Sequence, residues 1–84
     1  MFETEAQFLE KIVKGIVNNP DDVRVLRSDD ELGVLLTINA RKEDLGCIIG
    51  REGHIADSLR TIMRSYGRLR EMQISVKISD PSIV

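Results

Sequence analysis

The sequence is poor in the residues on which several classes of function depend. Its 84 residues include one cysteine, one histidine and no tryptophan, and aromatic residues make up only 4% of the chain. One cysteine permits no intramolecular disulfide, and one Cys with one His cannot complete a tetrahedral zinc site. A catalytic triad would need His54 as its base, and no pattern around it supplies the partners. We therefore expect no enzyme, no metal site and no cofactor.

Long apolar runs are also absent. None approaches the roughly 20 residues that a membrane-spanning helix needs. The first eight residues, Met-Phe-Glu-Thr-Glu-Ala-Gln-Phe, contain neither the basic nor the long apolar region of a signal peptide. Hydrophobic residues make up 42% of the chain and charged residues 31%, which is ordinary for a globular protein. The expectation is one small cytoplasmic domain without membrane contact.

The net charge of −2 does not by itself suggest a nucleic-acid partner, but the charges are unevenly distributed. Residues 1–40 hold four basic and eight acidic side chains, a net charge of −4. Residues 41–84 hold eight basic and six acidic ones, a net charge of +2. Either these charges only solvate their faces, or the basic half contacts an anion.

Residues 50–53, Gly-Arg-Glu-Gly, lie in that basic half. An apolar pair precedes them and a new apolar periodicity begins at Ile55, which predicts a helix, a glycine turn and a second helix. Two glycines allow positive φ angles and a close approach of another backbone. The free N–H groups of a helix starting near His54 would favour an anion in the turn. The alternative is a plain helix–helix turn.

The N-terminal half predicts a helix and a hairpin. Residues 4–18 carry an apolar stripe at the helical period, with Thr4 and Gln7 as a capping box, Gly15 inside the helix, and Asn-Pro ending it. Residues 22–27 and 34–40 alternate as strands around a polar, glycine-containing turn, which predicts an antiparallel hairpin.

The C-terminal half predicts two helices and a strand. A short helix opens at residue 43 or 44 and runs to 49, and a second covers 54–66 with Gly67 as its C-terminal cap. Residues 71–79 alternate as the last strand. The core stripe expected on the second helix consists of Ile55, Leu59, Ile62, Met63 and Tyr66.

Three arginines at four-residue spacing form a basic ridge on the second of these helices. They are Arg60, Arg64 and Arg68, and Asp57 is placed to pair with Arg60. A solvated helix face explains this ridge as well as an anion-binding role does.

The predicted order is α-β-β-α-α-β. An α+β sandwich with a three-stranded sheet and helices packed on one face buries every apolar stripe economically. We expect a single domain over residues 1–80 and a frayed tail at 81–84.

This order and the glycine turn together resemble a known RNA-binding module. Residues 48–55, Ile-Ile-Gly-Arg-Glu-Gly-His-Ile, resemble the I-G-x-x-G core of the KH (K-homology) domain, with its GxxG loop between two helices. The element order is that of the type II arrangement, and the resemblance covers nearly the whole chain. The Asn-Pro helix stop, Glu-Asp-Leu-Gly at 43–46 and Leu-Arg-Thr at 59–61 make it similar to the small bacterial single-KH proteins of the KhpA (YlqC-like) family.

The resemblance implies a protein that binds single-stranded RNA. The GxxG loop of KH domains clamps about four nucleotides by their backbone. Here the groove floor would include the second strand near Leu35 and Thr37, with Ile48 facing the core. The resemblance also implies a homodimer and/or a larger KH-domain partner, and post-transcriptional control that affects growth and cell shape. We therefore expect an RNA chaperone or a post-transcriptional regulator. The predicted RNA-binding residues are Ile49, Gly50, Arg51, Glu52, Gly53, His54, Ile55 and Arg60.

Three positions depart from the family pattern. Cys47 replaces a common Lys or Arg, Glu52 places an acid in the loop, and His54 replaces a common base. We therefore expect weak RNA binding that gains strength from dimerisation or a tandem partner. The alternative hypothesis is a KH-like assembly module with weak or no RNA binding.

Overall fold

The fold is built on one small mixed sheet. The computed structural model describes residues 4–79, and within them the element order is α-β-β-α-α-β, as predicted. The helices are α1 (Glu5–Lys14), α2 (Leu45–Ile49) and α3 (His54–Leu69), and the strands are β1 (Arg24–Asp30), β2 (Gly33–Asn39) and β3 (Ile74–Ile78). β2 lies in the centre, antiparallel to β1 and parallel to β3. The predicted tail, residues 81–84, lies outside the described residues.

The core forms on one face of the sheet, which confirms the predicted α+β arrangement. Strand side chains alternate between the faces, and every second residue of β2 is buried against the helices. Buried residues of all three helices, of β2 and β3, and of the segment just before β1 meet there. The cluster contains Leu9, Val13, Val23, Val34, Leu36, Ile38, Ile48, Leu59, Met63, Ile74 and Val76.

α1 begins as predicted and ends early. Thr4 Oγ1 accepts from Gln7 N at 3.1 Å while Gln7 Oε1 accepts from Thr4 N at 3.0 Å, a complete capping box. The helix ends at Lys14 with Gly15 as its C-cap, so the prediction that it runs to residue 18 with Gly15 inside is wrong. The backbone N–H groups of residues 18 and 19 instead donate to the carboxylate of Asp44.

The hairpin turn is tighter than predicted. β1 continues to Asp30 and β2 begins at Gly33, so only residues 31 and 32 form the turn. Asp30 Oδ1 accepts from Leu32 N at 2.8 Å, which supports this turn. Gly33 has φ +131°, and a Cβ there would collide with the carbonyl of Gln73. Glycine therefore lets β2 begin close against the segment that leads into β3.

Side chains of its first turn hold α1 to the rest of the fold. Arg27 of β1 donates to Glu5, and this hydrogen bond is the main cause that raises the pKa of the Arg27 guanidinium. Phe8 stacks on Tyr66 of α3 with ring centroids 4.9 Å apart, and the Arg70 guanidinium lies 3.7 Å from the Tyr66 centroid. These contacts join α1 to the sheet and to α3.

α3 runs one turn further than predicted. Gly67 lies inside it, not at its C-terminal cap, and a Cβ at this position would lie 2.5 Å from the carbonyl oxygen of Met72. Glu71 takes the left-handed conformation, with φ +56°. Met72 N donates to Gly67 O at 2.8 Å and Glu71 N to Arg68 O at 3.3 Å, which is a Schellman ending. The chain can then turn at once into β3.

Two residues expected in the core stripe of α3 lie at the surface. Ile55 is 39% and Ile62 is 41% exposed, so their predicted core positions are wrong, whereas Leu59 and Met63 are buried as predicted. The buried stripe passes instead through Ala56 and Gly67. In the part of the chain that the structure describes, no helix is both long and apolar enough to cross a membrane.

Candidate nucleic-acid interface

The loop between α2 and α3 contains one backbone conformation that only glycine adopts readily. Gly50 has φ +76° and ψ −180°, a region that side chains essentially exclude. Glu52 (φ +56°) and Gly53 (φ +78°) are both left-handed, and residues 51–53 form one 3₁₀ turn. The chain therefore passes from α2 to α3 within four residues.

The two glycines of this loop have different structural roles. A Cβ on Gly50 would lie 2.8 Å from the Cβ and 2.9 Å from the backbone nitrogen of Ile55, so the close approach at this position is internal to the fold. A Cβ on Gly53 would meet no atom within 4 Å. Gly53 is thus the glycine that faces open space, where a ligand backbone can approach.

The charges at the loop tip are exposed. Arg51 and Glu52 are exposed, and the Nε2 atom of His54 lies 3.8 Å from Oε2 of Glu52. Within residues 4–79, Arg51 forms no ion pair, so its guanidinium can reach an added anion. Glu52 forms an ion pair with His54 only when that imidazole is protonated. The loop thus carries one constant positive charge beside one acid.

The first turn of α3 starts directly at this tip. Its N-cap is Gly53, which supplies no side-chain cap. The amide of Gly53 donates to Gly50 O at 3.3 Å and that of His54 to Arg51 O, so these two are used inside the loop. The amides that follow lack an intrahelical acceptor, which favours an anion at this end of the helix.

An apolar ledge flanks the loop. Ile49, the last residue of α2, is 40% exposed, and Ile55 in the first turn of α3 is 39% exposed. Ile48 is fully buried, as predicted. At the end of α2, the side chain of Ile48 therefore packs in the core and that of Ile49 lies at the surface beside the loop.

A pocket of about 520 Å³ lies between α3 and β3, and we call it the arginine pocket. Its walls are the basic ridge of α3 and the outer edge of the sheet. Arg60 Nε donates to Val76 O at 3.3 Å, and Arg60 also pairs with Asp57 at 3.4 Å, as predicted. The lining residues are Arg60, Arg64, Arg68, Met72, Gln73, Ile74, Ser75 and Val76.

The predicted groove floor does not form one surface. Leu35 and Thr37 lie on the sheet face away from the helices, because their neighbours in β2 point to the core. Ile55 and Arg64 are nine residues apart on α3, which places them about half a turn of the helix apart, on opposite sides. The predicted RNA-binding residues therefore occupy three places: the loop tip (51–54), the ledge around Gly50, and the arginine pocket, which contains Arg60.

Asp44 positions the loop, and sequence reasoning did not identify it. Its side chain is fully buried and accepts from Asn18 N at 3.3 Å, Asn19 N at 2.9 Å and Asn19 Nδ2 at 3.2 Å. It immediately precedes α2, so these bonds attach the start of that helix to the end of the α1 segment. An acid before a helix was visible in the sequence, but its three donors lie about 25 residues away.

Comparisons with known proteins agree with this architecture. A family model described as "KhpA/KhpB, KH domain" matches residues 6–78. The RNA-binding protein KhpA of Leifsonia xyli subsp. xyli is 41% identical over 71 residues, covering 84% of this chain and 93% of the relative. Its namesake in Streptomyces coelicolor is 46% identical over 59 residues, 70% of this chain and 75% of the relative. The RNA-binding protein KhpA of Clostridium acetobutylicum is 33% identical over 72 residues, which cover 86% of this chain and 96% of the relative. No solved structure gives a significant match.

Proposed function

The chain belongs to the KhpA/KhpB KH-domain family, and on that premise we propose that it binds single-stranded RNA through its glycine loop. The relatives carry the name of RNA-binding proteins, not of enzymes. The observation that carries the proposal is the open face at Gly53 beside Arg51, which forms no ion pair with any residue that the structure describes, at the start of a 16-residue helix without a side-chain cap. A phosphate is the ligand that all three features favour.

Each part of the loop has a separate task in this proposal. Gly53 admits the RNA backbone, Arg51 donates charge-assisted hydrogen bonds to a phosphate, and the first free amides of α3 face the same oxygen atoms. The ledge of Ile49 and Ile55 offers an apolar surface for a base. Glu52 repels phosphate, so a single domain binds RNA weakly.

The arginine pocket provides a path for the RNA beyond the loop. Arg64 and Arg68 continue the positive charge of α3 along the edge of the sheet. Arg60 already contacts both Asp57 and the Val76 carbonyl, so its phosphate contact requires it to leave these partners. The two further arginines are exposed, so we propose that they contact the RNA backbone with a smaller rearrangement.

We further propose the biological setting that the family resemblance implied. Residues 1–80 would act as a single KH domain in the cytoplasm, as a binding protein and not an enzyme. It would work as a homodimer and/or with a larger KH-domain protein, as an RNA chaperone or post-transcriptional regulator that affects cell shape. Weak single-site binding makes a second site valuable, because linked sites raise the effective concentration of the ligand.

A protein-assembly module is the second candidate. The net charge of −2 and the acidic side chain of Glu52 inside the loop favour it, because both oppose binding to a polyanion. In that case the loop would shape the fold without contacting RNA.

Titration of a labelled, mixed-sequence RNA oligonucleotide in low salt separates the two candidates. The variant R51E should weaken binding by about tenfold or more, since it removes one charge-assisted phosphate contact and adds repulsion. E52Q should strengthen binding. K14E, on the exposed end of α1, makes the same charge change away from the loop and should have little effect.

Circular dichroism should show that all three variants keep the wild-type fold. If the wild-type protein binds no RNA at low salt, or if R51E and K14E weaken binding equally, the loop is not the RNA-binding site. The assembly function would then be the better explanation.

A further inference from the structure

The hydrogen bonds of the central strand show which backbone groups of β1 point away from the sheet. Val34 N donates to Gln73 O at 2.8 Å, and Ser79 N donates to Ile38 O at 2.9 Å, so the even-numbered residues of β2 direct their backbone groups to β3. Successive residues of a strand direct these groups to opposite sides, so the odd-numbered residues of β2 bond to β1. Their partners in β1 are the even-numbered residues. The odd-numbered residues of β1 therefore direct their N–H and C=O groups outwards.

These residues are Val25, Arg27 and Asp29, and we call their outward backbone groups the β1 edge. Six of the seven residues of β1 are exposed, and Val25 is half-buried. Within residues 4–79, no backbone group outside the sheet pairs with the β1 edge. An open strand edge of this kind can bind an extended peptide as an additional strand, through alternating pairs of main-chain hydrogen bonds.

Acidic side chains surround the end of the β1 edge that lies next to the hairpin turn. Asp29, Asp30 and Glu31 are consecutive and exposed. Arg27 donates to Asp29 at 2.9 Å, and yet the Asp29 side chain stays 65% exposed. Arg27 also donates to Glu5, so two carboxylates share its charge. A peptide that carries basic residues beside the turn would therefore complement this end of β1.

The opposite end of β1 offers an apolar surface. Leu26 is 57% exposed on the sheet face that points away from the helices. Leu35 lies on the same face in β2, diagonally from Leu26 across the strand pair. An apolar side chain placed opposite Leu26 in an added strand would remove this surface from water.

We propose that the β1 edge binds an extended segment of a partner protein as a fourth strand, antiparallel to β1. The N-terminal residues of the segment are basic and lie opposite Asp30 and Asp29, and its C-terminal residues are apolar and lie opposite Leu26. A second copy of β1 fits less well. When all seven residues of two copies pair antiparallel, Arg27 of one copy lies opposite Arg27 of the other, and like charges at opposite positions destabilise a strand pair.

This surface is separate from the candidate RNA interface. β2 lies between β1 and β3, so the β1 edge and the arginine pocket occupy opposite edges of the sheet. With neighbouring strands about 4.8 Å apart, β1 and β3 are roughly 10 Å apart. The inference therefore goes beyond RNA binding, and either proposal can fail without the other.

Titration of the isotopically labelled protein with a synthetic peptide, followed by NMR without RNA, tests the β1 edge. The peptide Lys-Arg-Thr-Thr-Ile-Val-Thr places its two basic residues opposite Asp30 and Asp29. The backbone amide signals of residues 25, 27 and 29 should shift most, because these N–H groups gain acceptors. D29K should raise the dissociation constant by about fivefold or more. E43K makes the same charge change at an exposed residue outside the sheet and should stay within about twofold.

N-methylated peptides test the main-chain pairing on the wild-type protein, so this measurement does not depend on the folding of any variant. In the proposed register, residue 4 of the peptide exchanges hydrogen bonds with Arg27, whereas residue 3 directs its N–H group away from β1. Methylation of the nitrogen of residue 4 should weaken binding by about tenfold or more. Methylation at residue 3 should change it by less than about twofold.

The proposal is overturned if the three amide signals do not shift, if D29K and E43K bind the peptide equally, or if methylation at residues 3 and 4 has the same effect. Tighter binding of a peptide with the reversed sequence would overturn the antiparallel direction. Sedimentation of the protein alone is the last measurement. If D29K lowers the self-association of the protein, a second copy occupies the β1 edge and the partner segment is the wrong occupant.

Discussion

Replacing Gly50 by alanine should destabilise the fold much more than the same change at Gly53. At Gly50 the backbone conformation is one that side chains exclude, which costs about 1–3 kcal/mol. The new Cβ would also lie 2.8 Å from the Cβ and 2.9 Å from the backbone nitrogen of Ile55. Rotation of a side chain cannot relieve these two contacts, so overpacking adds about 1–3 kcal/mol. The expected loss in the free energy of unfolding is about 4 kcal/mol.

Gly53 is the matched control in the same loop. Its φ of +78° costs an alanine about 1–2 kcal/mol, and no steric contact adds to this because the space is open. Urea unfolding followed by circular dichroism would give both values, with a stabilising osmolyte present to keep G50A folded. A Cβ on residue 50 would also collide with Cγ1 of Ile55, which alanine lacks, so in a double-mutant cycle I55A should recover the part of the loss in G50A that this atom causes, while the contacts with Cβ and the backbone nitrogen remain. Equal losses in G50A and G53A would refute the assigned difference between the two glycines.

Two further changes test contacts that position the interface. D44N should lower the free energy of unfolding by about 2–4 kcal/mol, because the amide cannot accept from all the donors at residues 18 and 19 and leaves buried groups unpaired. The control D21N changes an exposed aspartate and should be neutral within about 0.5 kcal/mol. Similar losses in both variants would contradict the role of Asp44. G67A gains about 1 kcal/mol in helix propensity but brings a Cβ to 2.5 Å from Met72 O, so urea unfolding should show a net loss, and a net gain would show that the α3–β3 junction is loosely packed.

Periodicity predicted the elements of the fold well where a single face meets the core. The alternation of Val34, Leu36 and Ile38 and the capping box at Thr4 were both confirmed. The end of α1 was predicted wrongly, since the amides of residues 18 and 19 donate to a carboxylate 25 or more residues away. No local signal near residue 15 reports such a distant acceptor.

Helix ends and surfaces show the same limit within the candidate interface. Gly67 has the residue type of a helix C-cap, yet its missing side chain makes room for the carbonyl of Met72, and Glu71 takes the left-handed position. The spacing of the arginines was plain in the sequence, but the strand edge that they face was not. The different environments of Gly50 and Gly53 also depend on Ile55, which packs against only one of them.

The attachment of Asp44 to the turn at 18–19 has a consequence for local unfolding. The start of α2 is held by the segment that follows α1, so an opening that releases α1 also releases α2 and the orientation of the glycine loop. The arginine pocket is made by residues 60–76, which are close in sequence and separate from that attachment. We expect amide hydrogens of α1 and α2 to exchange together and those of α3 and β3 to exchange more slowly. The two parts of the candidate interface would then belong to different cooperative units, and the glycine loop would be the part that opens first.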